Sequence, residues 1–259
     1  MPYSAADILA VLQASQDRLA AAVAPLSSEQ VRQPAYPSEW SIAQVCSHLG
    51  SGAVIFEQLL TASLTGAPTP GGEEFQAVWD VWNAKSPEAQ AADALTAHAH
   101  FLAQVDGLDP AQREGFELEL FGAPTDLTRF LRYRLNEHIV HSWDVLVALD
   151  PTTTLPADGV ALIIDELGPL VALGGKGNDP ARRVEVRTSD PDRALLLSLT
   201  PEGAELTKLP DSEPVDGLIT LPTEAFIRLV YGRLDPEHSP ELSIQGIDLD
   251  MLRRVFPGF

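Results

Sequence analysis

The stretch between Pro124 and Pro151 constrains this chain more than any other. Leu127, Phe130, Leu131, Leu135, Ile139, Val145, Leu146 and Leu149 recur at the three- and four-residue spacings of a helix with one apolar face. Such a stripe has to be buried against other helices, because packing, not intrinsic propensity, supplies most helix stability. Pro124-Thr125-Asp126 is expected to open this helix, and Pro151 to end it, since a residue preceding proline resists the helical conformation. Glu137 and His141 lie at the edge of the stripe. Residues four apart sit one above the other on a helix, so these two side chains can converge on one point. Polar groups facing a bundle interior need partners. The pair therefore suits either a divalent metal ion or a plain buried polar contact, and on spacing alone the polar contact is the commoner case.

A second helix carries a third candidate. Ser41 with Gln44 three residues on is a capping box, and Trp40 before it is placed to act as a staple. The helix is expected from Ser41 to Leu60, with His48 on its second turn. Two ligands from one helix and one from another leave a coordination position open, which is the layout of a catalytic metal site. Imidazole and carboxylate donors suit Zn²⁺. Asp144, three residues after His141, is either an acceptor that orients an imidazole or a solvated helix-end acid. His138 points about 100° away from Glu137 and reads as structural. Cys46 lies nearly opposite His48 on its helix and reads as a small core residue. His98 and His100 read as surface residues, Trp79 and Trp82 as core.

Further helices are expected over residues 4–25, 73–84 and 87–105, with a Gly/Pro-rich loop at 65–72. The pattern changes after Asp150-Pro151-Thr152-Thr153-Thr154-Leu155-Pro156. Val184 to Thr188 alternates like a strand, and Ala194–Thr200 with Ala204–Leu209 reads as a hairpin around Pro201-Glu202-Gly203. A strand at Gly217–Leu221, a helix at Pro222–Gly232, a strand at Leu242–Gly246 and a helix at Leu249–Phe256 follow. The fold class is thus α+β in two domains: an N-terminal helix bundle over 1–151 and a small C-terminal α+β sheet domain over 157–259. A length of 259 residues accommodates both. The formal charge of -20 argues against nucleic acid or an anionic membrane as partner. No apolar run reaches the roughly 18 residues needed to span a bilayer. One cysteine excludes an internal disulfide. With no basic, signal-like start, a cytoplasmic monomer or homodimer is the expectation.

The segments Trp40-Ser41-Ile42-Ala43-Gln44-Val45-Cys46-Ser47-His48-Leu49-Gly50 and Glu137-His138-Ile139-Val140-His141-Ser142-Trp143-Asp144 together resemble the mycothiol-dependent maleylpyruvate isomerase family, within the wider DinB-like metalloenzyme superfamily. Its two patterns, W-S-x-x-x-x-x-x-H-L and E-x-x-x-H-x-W-D, are filled at every fixed position. Tyr231-Gly232-Arg233-Leu234 matches a Gly-Arg pair in the family's sterol-carrier-protein-like C-terminal domain. The resemblance implies a DinB-like four-helix bundle with His48, Glu137 and His141 as metal ligands. It also implies catalytic roles for Asp144 and Arg233, with Arg233 anchoring a carboxylate of the substrate or the thiol cofactor. The implied cofactors are Zn²⁺ and mycothiol, and the partner a small-molecule electrophile. A free thiol has a pKa of about 8.5, and a coordinating metal ion deprotonates it. S-transfer and cis–trans isomerisation both follow from such a thiolate. A hydrolase using metal-activated water and a non-catalytic binding or regulatory module are the other two readings. A structural zinc would ordinarily take four protein ligands, and only three are found.

Overall fold

The computed structural model describes residues 3–120 and 122–258. They form two compact units that divide between Thr153 and Thr154.

The first unit is helical. It contains α1 (Ala5–Val23), α2 (Ile42–Thr65), α3 (Gly72–Asn83), α4 (Pro87–Asp106), the short α5 (Pro110–Glu114), a hairpin of β1 (Glu117–Leu120) and β2 (Ala123–Asp126), and α6 (Leu127–Leu149). The capping box at the start of α2 is present: Gln44 N–H donates to Ser41 Oγ at 3.2 Å and Ser41 N–H to Gln44 Oε1 at 2.8 Å. A cap of this kind is worth about 1 kcal/mol. The helix runs past the expected Leu60 to Thr65, where Gly66 takes the left-handed conformation that closes it. Helix α6 starts one step later than expected. Pro124 and Thr125 belong to β2, and Asp126 caps the helix by accepting from Arg129 N–H at 2.8 Å.

The long helices α1, α2, α4 and α6 pack on one another, α2 most extensively on α4. That close approach depends on small residues. A side chain on Gly50 would collide with the Trp82 ring and lie 3.0 Å from Ala94 Cα. Ile42, Val45, Leu49, Trp82 and Val145 fill the space around this crossing, and Cys46 is among them, fully buried as expected. The tryptophan pair divides: Trp82 is core at 4% exposure, whereas Trp79 keeps 39%.

The second unit carries α7 (Ala157–Ile163), α8 (Gly168–Gly174), β3 (Arg182–Ser189), β4 (Arg193–Thr200), β5 (Gly203–Lys208), β6 (Gly217–Pro222), α9 (Thr223–Val230), β7 (Ser243–Gln245) and α10 (Leu249–Val255). The strands form one sheet in the order β5-β4-β3-β6-β7. Only β3 and β6 are parallel, with Val186 opposite Ile219. The other neighbours are antiparallel. Alternation drives the sheet's burial: Val184, Val186, Ile219 and Leu221 all face the core. After α9 the chain turns at Gly232 with φ 73°. Gly232 N–H donates to Leu229 O at 2.9 Å and Arg233 N–H to Arg228 O at 2.7 Å, the pairing of a Schellman motif. A side chain there would also strike the backbone of Gly258, so the position needs glycine for two reasons. No helix among the described residues is long and apolar enough to cross a membrane.

Candidate metal centre

Helices α2 and α6 bring His48, Glu137 and His141 together. Glu137 Oε2 lies 3.1 Å from His48 Nε2 and 3.6 Å from His141 Nε2. One donor atom from each residue lies within 4.8 Å of the others. Donors on one tetrahedral zinc ion stand roughly 3.3 Å apart, given bond lengths near 2.0–2.1 Å. Two nitrogens and a carboxylate oxygen at these separations fit such an ion. The cluster is open on one side: the side chains of His48 and Glu137 are 35% and 44% exposed.

His141 Nδ1 donates to Asp144 Oδ2 at 2.8 Å, and the Asp144 side chain is wholly buried. A carboxylate only accepts, so Nδ1 carries a proton, and Nε2 faces Glu137, to which it can donate when protonated; a bound metal ion would take the place of that proton. Asp144 therefore orients an imidazole and is not a solvated helix-end acid. Burial alone would raise the Glu137 carboxyl. The hydrogen bonds from His141 and His48, with the charge of both imidazoles, outweigh it and hold the group well below the usual carboxylate range. Burial would lower His141, but its hydrogen bonds to Asp144 and Glu137 and their charges win and raise it.

Arg134 fixes the register of the two helices. It is 1% exposed and donates Nη2 to the Leu49 carbonyl at 2.7 Å. That bond joins the residue after His48 to one lying three positions before Glu137. Burial lowers the Arg134 guanidinium to about 10, which leaves it a cation at neutral pH. Trp40 keeps 39% exposure, and its ring centroid lies 5.8 Å from that of His48.

A second imidazole cluster lies deeper in the same bundle, and it corrects the reading of His98 as a surface residue. His98 is 1% exposed and stacks on His138 with centroids 3.9 Å apart and planes at 15°. His138 Nδ1 lies 2.9 Å from Ser15 Oγ and 3.3 Å from Ser142 Oγ. His98 Nδ1 bonds Gln16 Oε1 at 2.8 Å, while the Gln16 amide nitrogen donates to Leu95 O. Burial, first of all, drives both imidazoles well below the ordinary histidine range. The signal for His98 was present in the sequence: Ala91, Ala94, His98, Phe101, Leu102 and Val105 form the buried stripe of α4 at three- and four-residue spacing. His100 does stand at the surface, 3.2 Å from Glu57.

A cleft of about 410 Å³ adjoins the cluster of His48, Glu137 and His141. It is lined by Gln44, His48 and Ser51 of α2, by Gln76, Trp79 and Asn83 of α3, and by Trp40 and Gln90. The second unit holds a larger one, about 970 Å³, but its lining contains neither histidine nor cysteine, and the Arg193 fork in it is bound to Asp165 at 2.6 and 2.8 Å. Of the two, the smaller cleft is the one lined by a member of the His48–Glu137–His141 cluster. Arg233 belongs to the second unit. It is 8% exposed and donates Nη1 to Tyr231 O at 2.7 Å.

Among solved structures, the chain is similar to the mycothiol-dependent maleylpyruvate isomerase and to a histidine-to-alanine mutant of that enzyme. Each gives a TM-score of 0.67 at 12% identity, over 89% of this chain and 90% of the other. At that identity the likeness establishes the two-part fold. No curated protein sequence matches the chain. The model of the mycothiol maleylpyruvate isomerase N-terminal domain matches residues 12–146, which takes in His48, Glu137, His141 and Asp144. Since that match covers more than half of the chain, the protein belongs to the mycothiol maleylpyruvate isomerase N-terminal domain family.

Proposed function

We propose that this protein is an enzyme that holds one divalent metal ion, zinc by donor chemistry, on His48, Glu137 and His141. It uses the ion to activate a low-molecular-weight thiol, mycothiol by family, for S-transfer to an electrophilic small molecule or for its cis–trans isomerisation. The observation that carries this reading is the convergence of three donor atoms from two helices on an open side of the bundle. A bound divalent ion would turn a coordinating thiol into a thiolate at neutral pH.

The residues divide the work. Asp144 keeps the proton on His141 Nδ1, so that Nε2 remains a donor; it acts through His141 and is a positioning residue. Glu137 stays ionised across the physiological range, because the two imidazoles hold its proton affinity down. Arg134 holds α2 and α6 in the register that lets the three meet. Arg233 is assigned the carboxylate of the substrate or thiol on its sequence match, since a guanidinium fork binds carboxylate in bidentate fashion. Arg233→Lys keeps the charge and loses that geometry, so turnover should fall with metal content unchanged. The hydrolase reading is weaker. It needs a base free to take a proton from water, and Asp144, the acid behind the cluster, is buried and engaged with His141.

Titrating a small thiol into cobalt-substituted protein tests the proposal. A sulfur-to-cobalt charge-transfer band that saturates at one thiol per protein is expected. Cobalt-loaded protein that gives no such band with any thiol would contradict thiol activation.

A further inference from the structure

Resting on the reading of Arg233 as a carboxylate anchor, we propose that Arg228, locked by Glu224 and aided by Arg253, is the residue that positions it. The loop of residues 231–239 follows α9 and belongs to no helix or strand. Irregular backbone lacks a ladder of its own, so its shape is set by whatever else bonds its polar groups. Here side chains do so. Arg228 Nη1 donates to two loop carbonyls, His238 O at 2.7 Å and Arg233 O at 3.2 Å. One nitrogen thus ties the peptide of Arg233 to the far end of the loop. Arg253 of α10 donates Nε to Leu234 O at 2.7 Å and Nη2 to Ser239 Oγ at 3.0 Å. Asp235 closes the middle: its Oδ1 accepts from the N–H groups of Glu237 and His238 at 2.8 and 2.9 Å.

Arg228 is itself fixed. It lies in the last turn of α9 and is 3% exposed. Its Nε and Nη2 donate to the two oxygens of Glu224, one turn earlier, at 2.7 and 2.8 Å. A fork seated on a carboxylate leaves the guanidinium plane one orientation. The Glu224 side chain is largely buried as well. For stability alone this pair is a poor choice, because apolar side chains of the same volume commonly do as well as a buried ion pair or better. A solvated arginine would complement the carbonyl end of the helix equally. What the buried fork adds is a fixed direction for Nη1, and Nη1 points at the loop that carries Arg233. The other side of Arg233 is constrained too, by the left-handed turn at Gly232 and by the bond from Arg233 Nη1 to Tyr231 O at 2.7 Å. A carboxylate arriving at Arg233 meets a side chain on an ordered backbone, which lowers the entropy lost on binding.

Ligand preference in the full chain tests this. In the cobalt-loaded protein, 4-mercaptobutanoate should bind at least about tenfold more tightly than 4-mercaptobutan-1-ol, which has the same length and no charge. Arg233→Gln should abolish that preference. Arg228→Lys keeps the charge and loses the fork, and Glu224→Gln keeps the shape and loses the charge; each should cut the preference below about threefold. Affinity for the neutral thiol, metal content and far-UV circular dichroism should stay unchanged, which a general loss of stability would not allow. Arg253→Gln, on a side chain 24% exposed, carries the same expectation and serves if either of the others fails to fold. A preference that survives these substitutions while Arg233→Gln abolishes it would overturn the positioning role. If the wild type shows no preference, or Arg233→Gln keeps it, the carboxylate reading of Arg233 fails instead. Hydrogen exchange then decides the positioning role alone. Arg228→Lys should speed exchange at the Arg233 and His238 amides by at least about tenfold relative to β3 and β4, and unchanged relative rates would overturn it.

Discussion

Helix α6 carries two imidazoles three residues apart, and they do opposite things. His141 faces two carboxylates, Glu137 and Asp144, on the open side of the bundle, and its proton affinity is raised. His138 is fully buried against the hydroxyls of Ser15 and Ser142 and the ring of His98, and its proton affinity is lowered. The residue type and the helix are the same. What differs is the charge of the partner and access from outside. A carboxylate beside an imidazole creates a place for a cation, whether proton or metal. Hydroxyls, an amide and a second ring create a neutral strut that ties α1, α4 and α6 together. Imidazoles are placed where they could ligate a metal ion only where an acid and an opening come with them.

The largest way to break this contrast is to remove the buried ring. His98→Ala empties a buried volume and strands the Gln16 oxygen that His98 now satisfies. It should lower unfolding free energy by about 2–4 kcal/mol, read from denaturant midpoints, with the folded protein still taking up its metal. Loss of metal from a folded His98→Ala protein would merge the two clusters into one functional unit. Next comes Asp144→Asn, which keeps the shape behind His141 and removes the charge. Metal affinity should fall by about 10- to 100-fold in competition with a chromophoric chelator, whereas Ser142→Ala, on the buried side, should leave it unaltered.

Acid should act through the buried cluster. His98 is neutral in the folded protein and protonates near its ordinary value when unfolded. The unfolded state therefore binds the extra proton below about pH 6.5. Stability is full above that pH and declines below it, by at most about 1.4 kcal/mol per pH unit for this one group. His98→Gln should flatten the decline between pH 6.5 and 5. A wild type that gains stability over the same interval would show the buried pair to be charged. The smallest effect concerns Cys46, two residues before His48 but turned into the core. Burial pushes its thiol up to about 12, so an aromatic disulfide reagent at pH 8 should leave it unmodified until the protein unfolds. Rapid native-state reaction would place a nucleophile beside the metal cluster that the packing does not.

The convergence of His48, Glu137 and His141 was readable in the sequence because helical register is itself geometry. A capping residue at Ser41 sets the start of α2, and the four-residue step from Glu137 to His141 sets their alignment. The two-part α+β architecture was readable for a similar reason, the change of period after Asp150. His98 was not read, although it continues the apolar stripe of α4. Its burial depends on Gln16, 82 residues away, and no local pattern announces that partner. The β1–β2 hairpin and helices α7 and α8 were also missed. Strands of four residues and helices of seven are too short to display a period. Trp79 and Trp82 share α3 and differ in exposure because Trp82 packs against Gly50 of α2, while Trp79 opens onto the cleft.

Metal content tests the central claim most directly. Wild-type protein, His48→Ala, Glu137→Ala and His98→Gln would be purified alike, checked for helical circular dichroism and assayed for bound transition metals. One equivalent is expected in the wild type and in His98→Gln, and close to none in His48→Ala and Glu137→Ala, with the helical signal kept in all four. Full occupancy in both His48→Ala and Glu137→Ala would contradict the account.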